Sequence, residues 1–189
     1  MGNTYVSGGF LQIKAIKESF QRKDYTSARL LTKGNFEFQY GYAEARTSVH
    51  RGRGIWHAFW MWGRNIDQVS WPLCGEIDIM EAINTENKVY ATCHLQSNGG
   101  HAQYGKESGN FDINNYSLYW DRSYIRVSVD NGQIYEMLIK DGNGNTGAFH
   151  NKFFFILNVA VGGNWPGFDV DPNQFPNEML VDYIRVYQP

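Results

Sequence analysis

The sequence predicts an all-β chain folded as a sandwich of antiparallel sheets. Apolar residues recur at every second position through several segments, Gly- and Asn-rich turns separate those runs, and helical periodicity is nearly absent. The composition agrees, with 16% aromatic residues and 20 Gly beside only 19% charged residues; aromatic side chains suit a pleated, half-buried surface.

Taken in order, residues 10–16 set Leu11, Ile13 and Ala15 against Gln12 and Lys14, the pattern of a half-buried strand. Segments 25–31 and 35–47 continue in that style, with Gly41 interrupting the second. Residues 88–95 alternate Val89, Ala91, Cys93 and Leu95 with Tyr90, Thr92 and His94. Asp130-Asn131-Gly132 between runs 124–129 and 133–139 predicts a hairpin, because Asn-Gly tolerates the positive φ that such turns require. The run Phe153 to Val161 is apolar except for Asn158, as in a strand covered on both faces, and Gly162 to Gly167 forces a loop. A last strand spans Met179 to Tyr187. With no repeat or linker, residues 1–189 are expected to form one domain.

A net charge of −2 and a pI near 6.2 give no electrostatic footprint for nucleic acid or an anionic membrane. No segment approaches the ~20 apolar residues of a spanning helix, and Met1-Gly2-Asn3-Thr4 lacks the regions of a signal peptide, so a soluble chain is expected. Cys74 and Cys93 allow at most one disulfide and do not suffice for a structural zinc site.

Chemistry concentrates in residues 71–81, Trp-Pro-Leu-Cys-Gly-Glu-Ile-Asp-Ile-Met-Glu. Glu76 and Asp78 share one face of a strand and Ile77 and Ile79 the other. Strict alternation turns Glu81 away, and a one-residue bulge around Met80 brings it back. Three like charges on one face raise the free energy, and the apolar and aromatic flanks do not suit a solvated acidic edge. Glycoside hydrolysis uses such a set: one carboxyl protonates the leaving oxygen while a second attacks the anomeric carbon. An ionised Glu76 raises the pKa of Glu81 and so keeps it protonated, and Asp78 is placed to orient Glu76. His94, expected on the adjacent strand, reaches the same face; a structural role is the alternative. Trp56, Trp60 and Trp62 occupy even positions of one strand, either as a platform for neutral pyranose rings or as a core stripe. Arg51, Arg53 and Arg64 flank it, as rim donors to sugar hydroxyls or as solvated loop cations.

These residues resemble glycoside hydrolase family 16, and the longer motif with Met80 resembles its endo-1,3-β-glucanase (laminarinase) branch. Residues 54–61, 155–167 and 181–187 are also similar to family segments, in family order. The resemblance implies a concanavalin A-like jelly roll of two curved antiparallel sheets, a retaining mechanism, a polysaccharide or oligosaccharide substrate and an extracellular location. It implies Glu76 as nucleophile, Asp78 as assisting acid, Glu81 as acid/base and Trp71 as a residue packing against sugar. Asn35 and Trp165 match positions near the glycone side, whereas Asn158 is expected to satisfy buried backbone groups. No cofactor is expected for catalysis. Asp182 resembles a ligand of a structural calcium whose usual partners lie in an N-terminal segment that this chain lacks, so that site is expected to be weak or empty. A domain short at its N-terminus leaves a strand edge unpaired, which favours self-association.

Overall fold

Two antiparallel sheets face one another across an apolar core in the computed structural model, which describes residues 2–109 and 113–189, with backbone only for 113 and 141–145. The strands are β1 (Thr4–Ser7), β2 (Phe10–Phe20), β3 (Lys23–Thr26), β4 (Arg29–Leu31), β5 (Gly41–Val49), β6 (Ile55–Gly63), β7 (Glu76–Ile83), β8 (Lys88–Ser97), β9 (Gly100–Gly109), β10 (Ile113–Trp120), β11 (Tyr124–Val129), β12 (Gly132–Leu138), β13 (Phe153–Val161) and β14 (Asn177–Tyr187). One sheet runs β4-β13-β6-β7-β8-β9; the other runs β1-β2-β14-β5-β10-β11-β12, with β3 on β2. Among the described residues, helix is confined to α1 (Ile66–Val69) and a 3-10 segment over Lys140–His150. This is the all-β sandwich that the alternation predicts.

Most of the alternating residues behave as expected, although Leu11 is only half-buried. Ile13 and Ala15 of β2 and Val89, Ala91, Cys93 and Leu95 of β8 are fully buried, and Phe153 to Leu157 of β13 are buried on both faces. Cys74 and Cys93 are separate buried thiols, and Cys93 Sγ lies 2.7 Å from Tyr135 Oη inside the core.

Three details differ from the sequence reading. The expected strand 25–31 is two strands, because the chain changes sheets at Ser27-Ala28: β3 pairs with β2, whereas β4 pairs with β13. The expected strand 35–47 begins only at Gly41, after a turn through residues 33–35. Gly41 starts that strand rather than interrupting it; its φ is +129°, and a Cβ there would lie 2.4 Å from Tyr187 O. In the β11–β12 hairpin the positive-φ pair is Asp130 (45°) and Asn131 (69°), one residue earlier than expected, and Gly132 already pairs with Val129.

The irregularity that matters lies in β7. Against β6, Met80 pairs with Phe59 and Asp78 with Trp60, so Ile79 has no counterpart; against β8, Asp78 pairs with Thr92 and Glu81 with Tyr90, so two residues face one. The expected bulge is present at Ile79-Met80. Both side chains enter the core, fully buried, and alternation resumes one position late. Met80→Ala keeps this register but leaves a cavity. It is expected to lower unfolding stability by about 2–5 kcal/mol, measured by urea denaturation; unchanged stability would contradict the packing role.

Candidate active site

Side chains directly opposite one another in a ladder project to the same face. Trp62, Trp60 and Ala58 of β6 lie opposite Glu76, Asp78 and Glu81, and His94, Thr92 and Tyr90 of β8 lie opposite the same three acids. The bulge thus puts three carboxyls on the floor of one trough, with indoles on one flank and an imidazole and a phenol on the other. One lobe, of about 490 Å³, is lined by Arg29, Trp56, Trp60 and Asn158 together with all three carboxylates. The second, of about 820 Å³, is bordered by Trp71, Tyr90, His94, His101 and Trp165 among others. Trp56, Glu76 and Glu81 border both lobes, so the two glutamates sit where the halves of the trough meet.

Indole N–H groups hold the acids. Trp56 Nε1 donates to Glu81 Oε1 at 3.0 Å, and Trp62 Nε1 donates to Glu76 Oε2. His94 Nε2 lies 3.1 Å from Asp78 Oδ2 and 3.8 Å from Glu76 Oε1. The shorter contact lacks hydrogen-bond alignment, and Asp78 Oδ2 is buried without a hydrogen bond. Behind His94, its Nδ1 is 2.8 Å from His101 Nε2, and the rings stack with centroids 5.0 Å apart.

Burial raises the pKa of all three carboxyls. Glu81 is pushed well above the carboxylate range, first by burial and then by the charges of Asp78 and Glu76. Asp78 is likewise pushed well up, by burial and then by Glu76. For Glu76 burial also leads, but His94 when protonated, the Trp62 and Trp71 indoles and Arg29 all pull the other way. His94 is lowered by burial, against the attraction of Glu76, so its contacts are those of a neutral ring near pH 7. The environment raises the pKa of Glu76 against opposing donors and pushes that of Glu81 well up with little opposition, so Glu81 is the carboxyl held as an acid.

The trough collects most of the residues singled out in the sequence. Trp56 and Trp60 face it and are not a core stripe. Trp165 meets Trp56 and Tyr90 edge-on at 5.3 and 4.9 Å, and Trp71, 42% exposed, stands over His101 at 4.6 Å. Asn158 is a correction: it accepts from Trp60 Nε1 at 2.8 Å and lines the trough, rather than satisfying buried backbone. Asn35 is another, lying exposed in the turn before β5 and bordering neither lobe. Arg51 does not line the trough either, since its Nη1 braces the β7–β8 connection through the carbonyls of Glu86 and Lys88. Arg53 pairs with Asp169 and Arg64 with Glu37.

Asp182 sits at a register shift in β14 with Arg46 Nη1 3.5 Å from its carboxylate. No group of three His, Cys, Asp or Glu donors among the described residues includes it. A carboxylate facing a guanidinium does not fit the oxygen cage of a calcium ion.

Sequence reasoning missed Arg29, whose guanidinium lies 4.7 and 4.6 Å over the Trp60 and Trp62 rings, and it missed His101. Tyr90 and Thr92 were assignable, since they alternate with core residues in the same phase as His94.

A sheet whose trough carries a row of carboxyls between indoles is the architecture of a carbohydrate-active β-sandwich. The chain belongs to the glycosyl hydrolases family 16, whose family model matches residues 4–185. It is 44% identical to the clotting factor G alpha subunit of Tachypleus tridentatus and 34% identical to a beta-glucanase of Rhodothermus marinus. Each alignment covers 98% of this chain, but 28% of the first relative and 70% of the second. Among solved structures, the catalytic domain of an endo-1,3-beta-glucanase (laminarinase) from Thermotoga petrophila superposes with a TM-score of 0.89 at 41% identity, over 98% of this chain and 80% of that one.

The buried acids carry a testable stability consequence. Between the ordinary glutamate pKa of about 4.3 and the raised native value, native Glu81 keeps a proton that the unfolded chain has lost, so stability falls as pH rises through that window. Glu81→Gln removes this dependence. The gain in unfolding free energy over the parent, followed through Tm, is expected to be near zero at about pH 4 and to grow towards pH 7; a gain independent of pH would contradict the raised pKa.

Proposed function

We propose that this chain is a retaining endo-hydrolase of β-1,3-glucan, with Glu76 as nucleophile and Glu81 as general acid and then base. The observation that carries this reading is that both trough lobes end on Glu76 and Glu81, so a chain lying through the trough crosses the two carboxyls in mid-length. That suits internal cleavage. Indole faces match the C–H surfaces of neutral pyranose rings, and both lobes expose indole.

In the first step Glu81 donates its proton to the glycosidic oxygen as a Glu76 oxygen bonds to the anomeric carbon, and the C–O bond to the leaving sugar breaks. Bonding neutralises Glu76, so one of the charges that, after burial and beside Asp78, raise the Glu81 pKa disappears. Glu81, now ionised, takes a proton from water as the water oxygen attacks the same carbon and releases Glu76. Each displacement inverts, so the anomeric configuration is retained. Asp78 and the neutral His94 border Glu76 from β7 and β8 and position it. The names of the similar Rhodothermus and Thermotoga proteins support a glucan. A keratan-sulfate endo-1,4-beta-galactosidase of Sphingobacterium multivorum, 35% identical, motivates a galactan as the second polymer in a substrate panel.

Incubation with laminarin is expected to release new reducing ends with a bell-shaped pH profile. Activity falls at low pH as Glu76 protonates and at high pH as Glu81 ionises. Glu76→Ala is expected to abolish turnover. Glu81→Ala lowers it by about 10²–10⁴-fold, and azide restores release from an activated aryl glycoside as a glycosyl azide of retained configuration. Normal hydrolysis by either folded variant would refute the assignment.

A further inference from the structure

We propose that Glu76, Asp78 and His94 form a binding site for Zn²⁺, which enters the trough and blocks it reversibly. Their donor atoms all lie within 4.8 Å of one another, the compact His/Cys/Asp/Glu triad that the described residues contain. A tetrahedral zinc with bonds of ~2.0–2.2 Å separates its ligands by about 3.3–3.6 Å. The distances from His94 Nε2, 3.1 Å to Asp78 Oδ2 and 3.8 Å to Glu76 Oε1, bracket that edge, and the carboxylate oxygens lie within 4.8 Å of one another, so side-chain shifts on the order of 1 Å bring the set to zinc geometry.

Two further observations point to an ion. Asp78 Oδ2 is buried without a hydrogen bond, on a side chain 3% exposed and aimed at His94 Nε2. A buried carboxyl oxygen in this state calls for a proton or a cation. Separately, His94 Nδ1 faces His101 Nε2 at 2.8 Å. With the proton on Nδ1 and donated to His101, the Nε2 lone pair points at the carboxyls; an acceptor behind the ring commonly fixes a metal-binding imidazole, and here the His101 ring takes the place of the usual carboxylate or carbonyl. His101 is exposed at the mouth of the larger lobe, which gives the ion a path inward. One imidazole with two carboxylates suits zinc better than magnesium or calcium, which take six to eight oxygens.

Binding displaces one proton from the Asp78 carboxyl: the ion takes both carboxylates and the His94 Nε2 lone pair, that proton leaves to buffer, and no electron moves. Its inhibitory consequence rests on the function proposed above, because the ion engages the nucleophile; binding itself does not.

Calorimetric titration of the purified chain with ZnCl₂, in two buffers of different ionisation heat, tests the site directly. One ion per chain with proton release is expected, with weaker binding by tenfold or more in His94→Gln and in Asp78→Asn and about tenfold weaker binding in His101→Phe. Laminari-oligosaccharide is expected to compete, and Mg²⁺ to give no signal. Thermal unfolding of each variant checks that it is folded, and a zinc-dependent rise in Tm of the parent alone adds independent support. Absence of zinc binding in the parent, or unchanged affinity in both folded ligand variants, would overturn the site. A chain that binds zinc in this way but cleaves no glucan would contradict only the functional reading, whereas an active chain that binds none would contradict only the zinc site.

Discussion

Strand β7 carries one residue more than either neighbour between Asp78 and Glu81, and the rest of the site depends on where that residue goes. In a regular strand the side chains at 76 and 81 would point to opposite faces. The bulge directs Ile79 and Met80 together into the core, so Glu81 emerges beside Glu76. The core holds this geometry in place: two fully buried apolar side chains resist any slip that would restore regular pairing, because a slip would bring one of them to the trough and turn a carboxyl inward. Packing on one face of the sheet thereby fixes chemistry on the other.

The same central position explains the electrostatics. Because β7 is flanked by β6 and β8 and by their aromatic rings, its acids lose water, and their pKa values rise. What distinguishes them is the donors that each meets. Glu76 has two indoles and a guanidinium acting to stabilise its anion, whereas Glu81 has one indole and two acidic neighbours. Three acids on one strand are costly for folding, and this cost is tolerated where a differentiated pair is useful.

Much of this was readable in the residues. The odd position of Glu81 after Glu76 and Asp78 demanded a bulge, and the alternation at 88–95 placed His94 on the acidic face. The unread parts have physical causes. Arg29 lies in a three-residue strand, too short for a period, and its partners come from β6, far along the chain. His101 belongs to edge strand β9, where most residues on both faces are at the surface and no apolar alternation marks a phase. Asn158 interrupts an apolar run, which reads as buried, yet it projects into the trough to an indole on β6. Arg51 was assigned by its nearness to the tryptophan strand and Asn35 by the family resemblance, and neither says which end of a strand meets the trough.

The account stands most directly on covalent capture of Glu76. A 2-deoxy-2-fluoro-β-laminaribioside with a dinitrophenolate leaving group slows turnover of the glycosyl intermediate, and mass spectrometry of the digested chain locates the sugar. One adduct per chain on the peptide containing Glu76, absent from Glu76→Gln, is the predicted result. An adduct on Glu81, or none on a preparation that hydrolyses laminarin, would contradict the division of roles along the bulged strand.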